Sequence, residues 1–306
     1  MKTDAVTFAN LGASVLAVPP LARNADLTFN RSANAALIKH IEAGGVSTLL
    51  YGGNANFYNI GLYEYASIID SLGELAAPDT WVIPSVGPDF GKMLDQAAIL
   101  KSRKFPTAMA LPMTFPMTPD GSVAGLKRFA DALGRPIIVY VKAEGYLTPE
   151  GVKSLVDSGA VAAIKYAIVR QDPLKDQFLS KLVELVDRRY IVSGIGERPA
   201  ITHLRDFGLN GFTSGSVCVA PRGTTKLLVA CKAKDWEAAA QIRSRYIALE
   251  DCRDNYSPIR VLHEAITLSG IADMGPMLPL LTNLDADKHA EVKAAASALL
   301  AADRAA

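Results

Sequence analysis

Lys165 is the residue hardest to explain without chemistry. It lies inside Val161-Ala162-Ala163-Ile164-Lys165-Tyr166-Ala167-Ile168-Val169, where every other side chain is apolar or aromatic. A charged amine there is costly unless it is paired or has shed its proton. The same desolvation makes a lysine nucleophilic near neutral pH, able to attack a carbonyl carbon and form an imine. The other reading is a lysine just past a strand end, with a packed stem and a solvated head. Tyr140 ends an earlier apolar run, Pro136-Ile137-Ile138-Val139-Tyr140. A phenol beside an iminium can relay protons and position a substrate. Alone, such a tyrosine is also an ordinary packing residue with a satisfied hydroxyl.

Three glycine-rich segments follow other apolar runs. Gly52-Gly53-Asn54 comes after Val46–Tyr51, and glycines there let backbone N–H groups approach an anion closely. An ordinary turn reads the same way. Ser193-Gly194-Ile195-Gly196-Glu197-Arg198 and Gly211-Phe212-Thr213-Ser214-Gly215 end two later runs. A phosphate would suit such loops, but Glu197 opposes one, and a Glu-Arg pair suits hydroxyl recognition as well. His40, His203, His263 and His289 fall in helical stretches or their flanks, with no ligand pair at metal spacing. Cys218, Cys231 and Cys252 show no Cys-x-x-Cys spacing; Cys218 reads as structural, and the odd, sparse set fits a reducing compartment. Phosphate-loop, dinucleotide and esterase-elbow motifs are absent, so neither metal nor cofactor is expected.

These residues need a frame that gathers distant strand ends. Eight short runs read as strands buried on both faces: Ala13–Val18, Val46–Tyr51, Trp81–Val86, Thr107–Leu111, Pro136–Tyr140, Val161–Lys165, Tyr190–Ser193 and Gly211–Ser214. Helical patterns lie between them. Asn34–Glu42 puts Leu37, Ile38 and Ile41 on one face, and Leu62–Leu75 repeats apolar residues at helical spacing. Thr148-Pro149-Glu150 is a capped helix start, and Asp172-Pro173 resembles another. The runs recur about every 28 residues, close to what ~250 residues over eight units require. The pattern predicts a (β/α)8 barrel over residues 1–222. Beyond it, Thr225–Cys231, Trp236–Leu249, Ser257–Leu268 and Ala286–Ala302 predict a C-terminal helical extension over 223–306. In such a barrel the active site lies at the C-terminal strand ends, where Lys165 and Tyr140 fall.

Composition closes off other classes. The 306 residues carry 32 basic and 31 acidic side chains, and half are hydrophobic. No charge block marks a nucleic-acid or acidic partner, and a chain this apolar buries a large core. No apolar run reaches the ~20 residues of a membrane helix, and no signal segment is visible, so a cytoplasmic protein is expected.

With Lys165 in Ala-Ile-Lys-Tyr-Ala and Tyr140 ending the preceding strand, the chain resembles the dihydrodipicolinate synthase / N-acetylneuraminate lyase superfamily. The resemblance runs from about residue 10 to 300. It implies a (β/α)8 barrel with helical extension, a Schiff-base lysine at Lys165 and a catalytic tyrosine at Tyr140. It implies carboxylate binding at Gly52, Gly53 and Asn54, and a glycine at Gly194 whose carbonyl faces the site. Glu197 aligns with an acid that sialic-acid lyases use on sugar hydroxyls, and Thr213 lies in the matching Gly211–Ser214 segment. A homotetramer or dimer is implied too, with the Pro/Met-rich loop 112–119 apolar enough for a subunit contact.

Three departures separate this chain from the lysine-pathway synthases. The family's Gly-Thr-Thr-Gly-Glu after strand two is Gly52-Gly53-Asn54-Ala55 preceded by Tyr51, so both hydroxyls are gone. Its tyrosine after strand four is missing from Pro112-Met113-Thr114-Phe115-Pro116-Met117. Its arginine five residues past the strand-five tyrosine is Gly145, with Lys142 and Glu144 nearby instead. The leading expectation is therefore a lyase on a 2-oxo acid, releasing pyruvate from a substrate such as a 2-keto-3-deoxy sugar acid. Substrate hydroxyls, water or Thr114 would complete the proton path. A dehydratase or deaminase using the same imine, the authentic synthase and a catalytically silent binding homologue are the alternatives.

Overall fold

The computed structural model describes residues 1–305. Eight parallel strands close on themselves in chain order: β1 (Leu16–Ala17), β2 (Thr48–Tyr51), β3 (Trp81–Val86), β4 (Met109–Ala110), β5 (Ile137–Val141), β6 (Val161–Tyr166), β7 (Ile191–Ser193) and β8 (Gly211–Ser214). Leu16 and Ala17 pair with Thr213 and Ser214 to seal the ring. Nearly every strand residue is buried, because barrel interior and helix ring cover the two faces. Between and around the strands run α1 (Phe8–Ala13), α2 (Arg31–Glu42), α3 (Leu62–Leu75), α4 (Phe90–Lys101), α5 (Pro119–Leu133), α6 (Pro149–Asp157), α7 (Gln177–Leu185) and α8 (Ala200–Arg205). After β8 come α9 (Pro221–Lys232), α10 (Trp236–Ser244), α11 (Ile247–Asn255), α12 (Pro258–Leu268) and α13 (His289–Arg304). The expected boundary at 222/223 thus falls in the first turn of α9. No helix among the described residues is long and apolar enough to cross a membrane.

Local chemistry sets most element ends. Thr148 accepts the Gly151 N–H at 3.0 Å and starts α6 with Pro149 in its first turn, as its sequence predicts. Ser257 caps α12 in the same way. Asp172-Pro173 does not start a helix: Asp172 closes a turn by accepting the Leu174 N–H, and Asp176 caps α7 through the Leu179 N–H at 3.0 Å. The run beginning at Ala13 splits, because Thr7 accepts the Asn10 N–H and carries α1 through Ala13 before β1 begins. The stretch 236–249 is two helices rather than one. At its break Tyr246 turns into the core, donating to the Ala220 carbonyl at 2.9 Å.

One irregularity bears on the site. β5 and β6 pair Ile137 with Val161 but Ile138 with Ala163, so Ala162 is an extra residue in β6. After this bulge the ladder runs Ile164 opposite Val139, Lys165 opposite Tyr140 and Tyr166 opposite Val141.

Candidate active site

A cavity of about 280 Å³ opens at the C-terminal strand ends, just under the usual small-molecule range. Lys165 and Tyr140 line it side by side, as partners across one rung of the β5–β6 ladder whose side chains leave the sheet on the same face. Lys165 Nζ lies 4.3 Å from the centroid of the Tyr140 ring. Both side chains are buried, and Lys165 has no ion-pair partner among the described residues. Burial, then the positive charges of Lys142 and Arg253, pull the Lys165 amine down to about 7. Near neutral pH a large fraction of it is unprotonated and nucleophilic. Burial likewise pushes the Tyr140 phenol well above its ordinary value, so it stays protonated and can donate.

The glycines divide by role. At Gly194 an added Cβ would sit 2.8 Å from Lys165 Cγ, 2.8 Å from Ala167 Cβ and 2.9 Å from the Tyr166 carbonyl oxygen. The bare backbone of β7 therefore leaves room for the lysine stem. Gly53 and Asn54 line the cavity, and their backbone N–H groups meet no acceptor among the described residues. They are free to hold an anion. The Asn54 side chain is spent on the loop, donating to the Val18 carbonyl at 2.8 Å. Gly52 stands behind the wall, where a Cβ would strike Met109 Cε at 2.7 Å and Ser85 Oγ at 2.9 Å. It shapes the turn and does not line the cavity. Thr213, on β8, does line it.

Two other expected site residues lie elsewhere. Thr114 is exposed on the loop after β4 and away from the cavity wall, so it supplies no hydroxyl to the proton path. Glu197 is fully buried behind the wall. Its Oε1 accepts from Ser214 Oγ and from Thr224 Oγ1, and its backbone N–H donates to Glu250 Oε1 at 2.9 Å. It braces loop seven and faces no open space. Burial raises its carboxyl, and burial together with the Glu197 charge raises Glu250 to about 8. His203 reaches the cavity edge but is a core residue, bonded through Nδ1 to Ser193 Oγ at 2.8 Å and lowered to about 4 by burial. No cluster of metal-binding side chains occurs among the described residues.

The sequence reading passed over the contribution of α11. Glu250 and Arg253 line the cavity from that helix, and Asp254 joins them at its edge. Glu250 and Arg253 are both buried. Arg253 packs against the glycine backbone of loop eight: a Cβ on Gly215 would fall 2.9 Å from its Nη2 and 3.1 Å from Asn54 Nδ2. A signal for this face exists. Tyr246, Leu249, Glu250 and Arg253 recur at the i, i+3, i+4, i+7 positions that a helix buries, so two charged residues occupy a core stripe.

The family model described as the dihydrodipicolinate synthetase family matches residues 13–299. No curated protein matches the sequence. Among solved structures, dihydrodipicolinate synthase from Bacillus clausii aligns at TM-score 0.83 and 21% identity, over 97% of this chain and 100% of that one. Ruminococcus gnavus sialic acid aldolase aligns at TM-score 0.83 and 14% identity, over 96% and 99%. YagE from E. coli K12, a prophage protein of the dihydrodipicolinic acid synthase family solved with pyruvate, aligns at TM-score 0.79 and 21% identity, over 95% and 98%. At these identities the likeness is one of fold.

Proposed function

Because the chain belongs to the dihydrodipicolinate synthetase family, a family of lyases, we propose that it forms a Schiff base between Lys165 and a 2-oxo acid and then breaks a bond in the substrate. The observation that carries this reading is a buried, unpaired lysine at a cavity wall, lowered to about 7 and set against a protonated tyrosine. The Lys165 lone pair adds to C2 of the substrate, and loss of water leaves a protonated imine. The N–H groups of Gly53 and Asn54 hold the C1 carboxylate, as preorganised donors that need no reorganisation. The iminium then acts as an electron sink. When the C4 hydroxyl gives up its proton, the C3–C4 pair moves toward nitrogen, leaving an aldehyde and an enamine. Protonation at C3 and hydrolysis release pyruvate and restore the amine, with Tyr140 relaying protons. A 2-keto-3-deoxy sugar acid fits this route. The fold shared with a pyruvate complex supports pyruvate as the first compound to try.

Loss of the family hydroxyls after strand two, and glycine at position 145, argue against the lysine-pathway synthase. The same imine could instead lose the C4 hydroxyl as water after C3 deprotonation. Product analysis separates pyruvate release from water loss. The decisive experiment is incubation with pyruvate, reduction with borohydride and mass mapping of the adduct. An adduct on Lys165 is expected; none with pyruvate or any 2-keto-3-deoxy acid would overturn the reading.

The same proposal includes a cytoplasmic homo-oligomer, dimer or tetramer. Phe115 is 85% exposed on the apolar loop after β4, a surface suited to a second copy. Sedimentation should show an oligomer, and Phe115→Asp should shift it toward smaller species. A monomeric wild-type protein would refute this part.

A further inference from the structure

Arg253 is a cation that no carboxylate bonds directly. Its Nε makes only a long contact, 3.5 Å, to the Pro258 carbonyl, and it forms no ion pair among the described residues. The other arginines of the wall are neutralised. Arg170 pairs with Glu144 and Asp176, and Arg198 with Asp251 and Asp254. Two buried carboxyls feel the Arg253 charge, Glu197 and Glu250, but neither bonds it, and burial raises both toward their neutral forms. Lys142 also lines the cavity, but at an exposed position where water screens it. A buried, unpaired guanidinium with its two terminal nitrogens free is an unusual and expensive arrangement unless something completes it.

The C1 carboxylate does not need Arg253, because Gly53 and Asn54 already present unused N–H donors to it. Resting on the imine reading above, we propose that Arg253 grips a second carboxylate, so that the substrate is a 2-oxo acid with anionic groups at both ends. The planar guanidinium suits this, because its free Nη pair matches a carboxylate two-to-two, as a lysine cannot. Gly215 belongs to the same device: any side chain there would push on the Arg253 head and on the Asn54 amide at once. The family's arginine on loop five is replaced by Gly145, so the charge that meets a distal carboxylate comes from a different element.

The test is borohydride trapping at subsaturating concentrations of pyruvate, 2-oxoglutarate and the 5-methyl ester of 2-oxoglutarate, which lacks the distal charge. Wild-type protein should trap 2-oxoglutarate on Lys165 about tenfold or more faster than the ester, the scale of a bidentate charge-assisted contact. Arg253→Met should collapse that ratio, and Arg253→Lys should restore it only in part. Equal trapping of acid and ester by the wild type overturns the proposal, and needs no variant to fold. An equal loss for pyruvate and 2-oxoglutarate in Arg253→Met also overturns it, by assigning the arginine to the C1 carboxylate. No adduct with any of the three compounds overturns the imine reading itself.

Discussion

Lys165 and Arg253 line one cavity, and both are buried cations without a carboxylate partner. They arrive by opposite routes. Lys165 sits near the C-terminal end of β6, held in an apolar run that its own sequence announces. Arg253 sits on α11, after β8 has closed the ring, in the polar stretch Glu250-Asp251-Cys252-Arg253-Asp254. Burial also does different things to them. An ammonium can escape the cost of desolvation by releasing its proton, and Lys165 is poised to do so. A guanidinium cannot, and waits charged for an anion. One side chain is thus tuned to react and the other to hold.

The largest effect should come from removing the reactive member. Lys165→Met is expected to abolish adduct formation and lower turnover by about a thousandfold or more, while the fold persists. Stability sharpens the point. The folded-state value of about 7 lies below the ordinary lysine value of 10.5, so between them the unfolded chain binds more protons and stability rises with pH. The wild type is therefore penalised most below pH 7, and the penalty vanishes above about 10.5. Lys165→Met should be more stable by a few kcal/mol at neutral pH, with the gain fading toward pH 10.5 in denaturation experiments. A variant that fails to fold would instead make Lys165 a structural residue.

Gly194→Val should come next. Its side chain would collide with the Lys165 stem, so trapping should fall by about a hundredfold, with a stability loss of ~1–3 kcal/mol. Unchanged trapping would mean the lysine tolerates displacement.

A smaller effect separates the two neighbours of the amine. Imine formation should rise with pH through a midpoint near 7. Because Lys142 and Arg253 both depress the amine, Lys142→Met and Arg253→Met should each move that midpoint upward. The Lys142 effect should fade in high salt, since it is exposed, whereas the buried arginine should resist screening. Identical salt responses would erase the distinction. Smallest of all, Thr114→Ala should leave adduct formation and its pH profile unchanged within error.

The same contrast governs what was legible in advance. The strands were readable because a parallel barrel buries both faces and writes continuous apolar runs; Trp81–Val86 and Gly211–Ser214 match residue for residue. Lys165 and Tyr140 stood out as polar exceptions within such runs. Element ends decided by one side-chain bond were harder: Asp172 and Asp176 both precede helical sequence, and only Asp176 finds the N–H it needs. Thr114 and Glu197 were misplaced because loop sequences carry no periodicity to say which way a side chain turns. Arg253 was missed because its burial depends on where α11 docks, a long-range matter that the local charge pattern obscures.

The bulge at Ala162 gives the ladder a count as well as a shape. Pair Ala162 in turn with Ile138, with no bulge, and the register carried on from Ile137–Val161 would place Ile164, not Lys165, opposite Tyr140. The amine would then turn toward the helix ring, and Tyr166 would lose its inward-outward place beside Asp176. Whether this barrel has a reactive end at all is written in parity, by an odd alanine with no chemistry of its own.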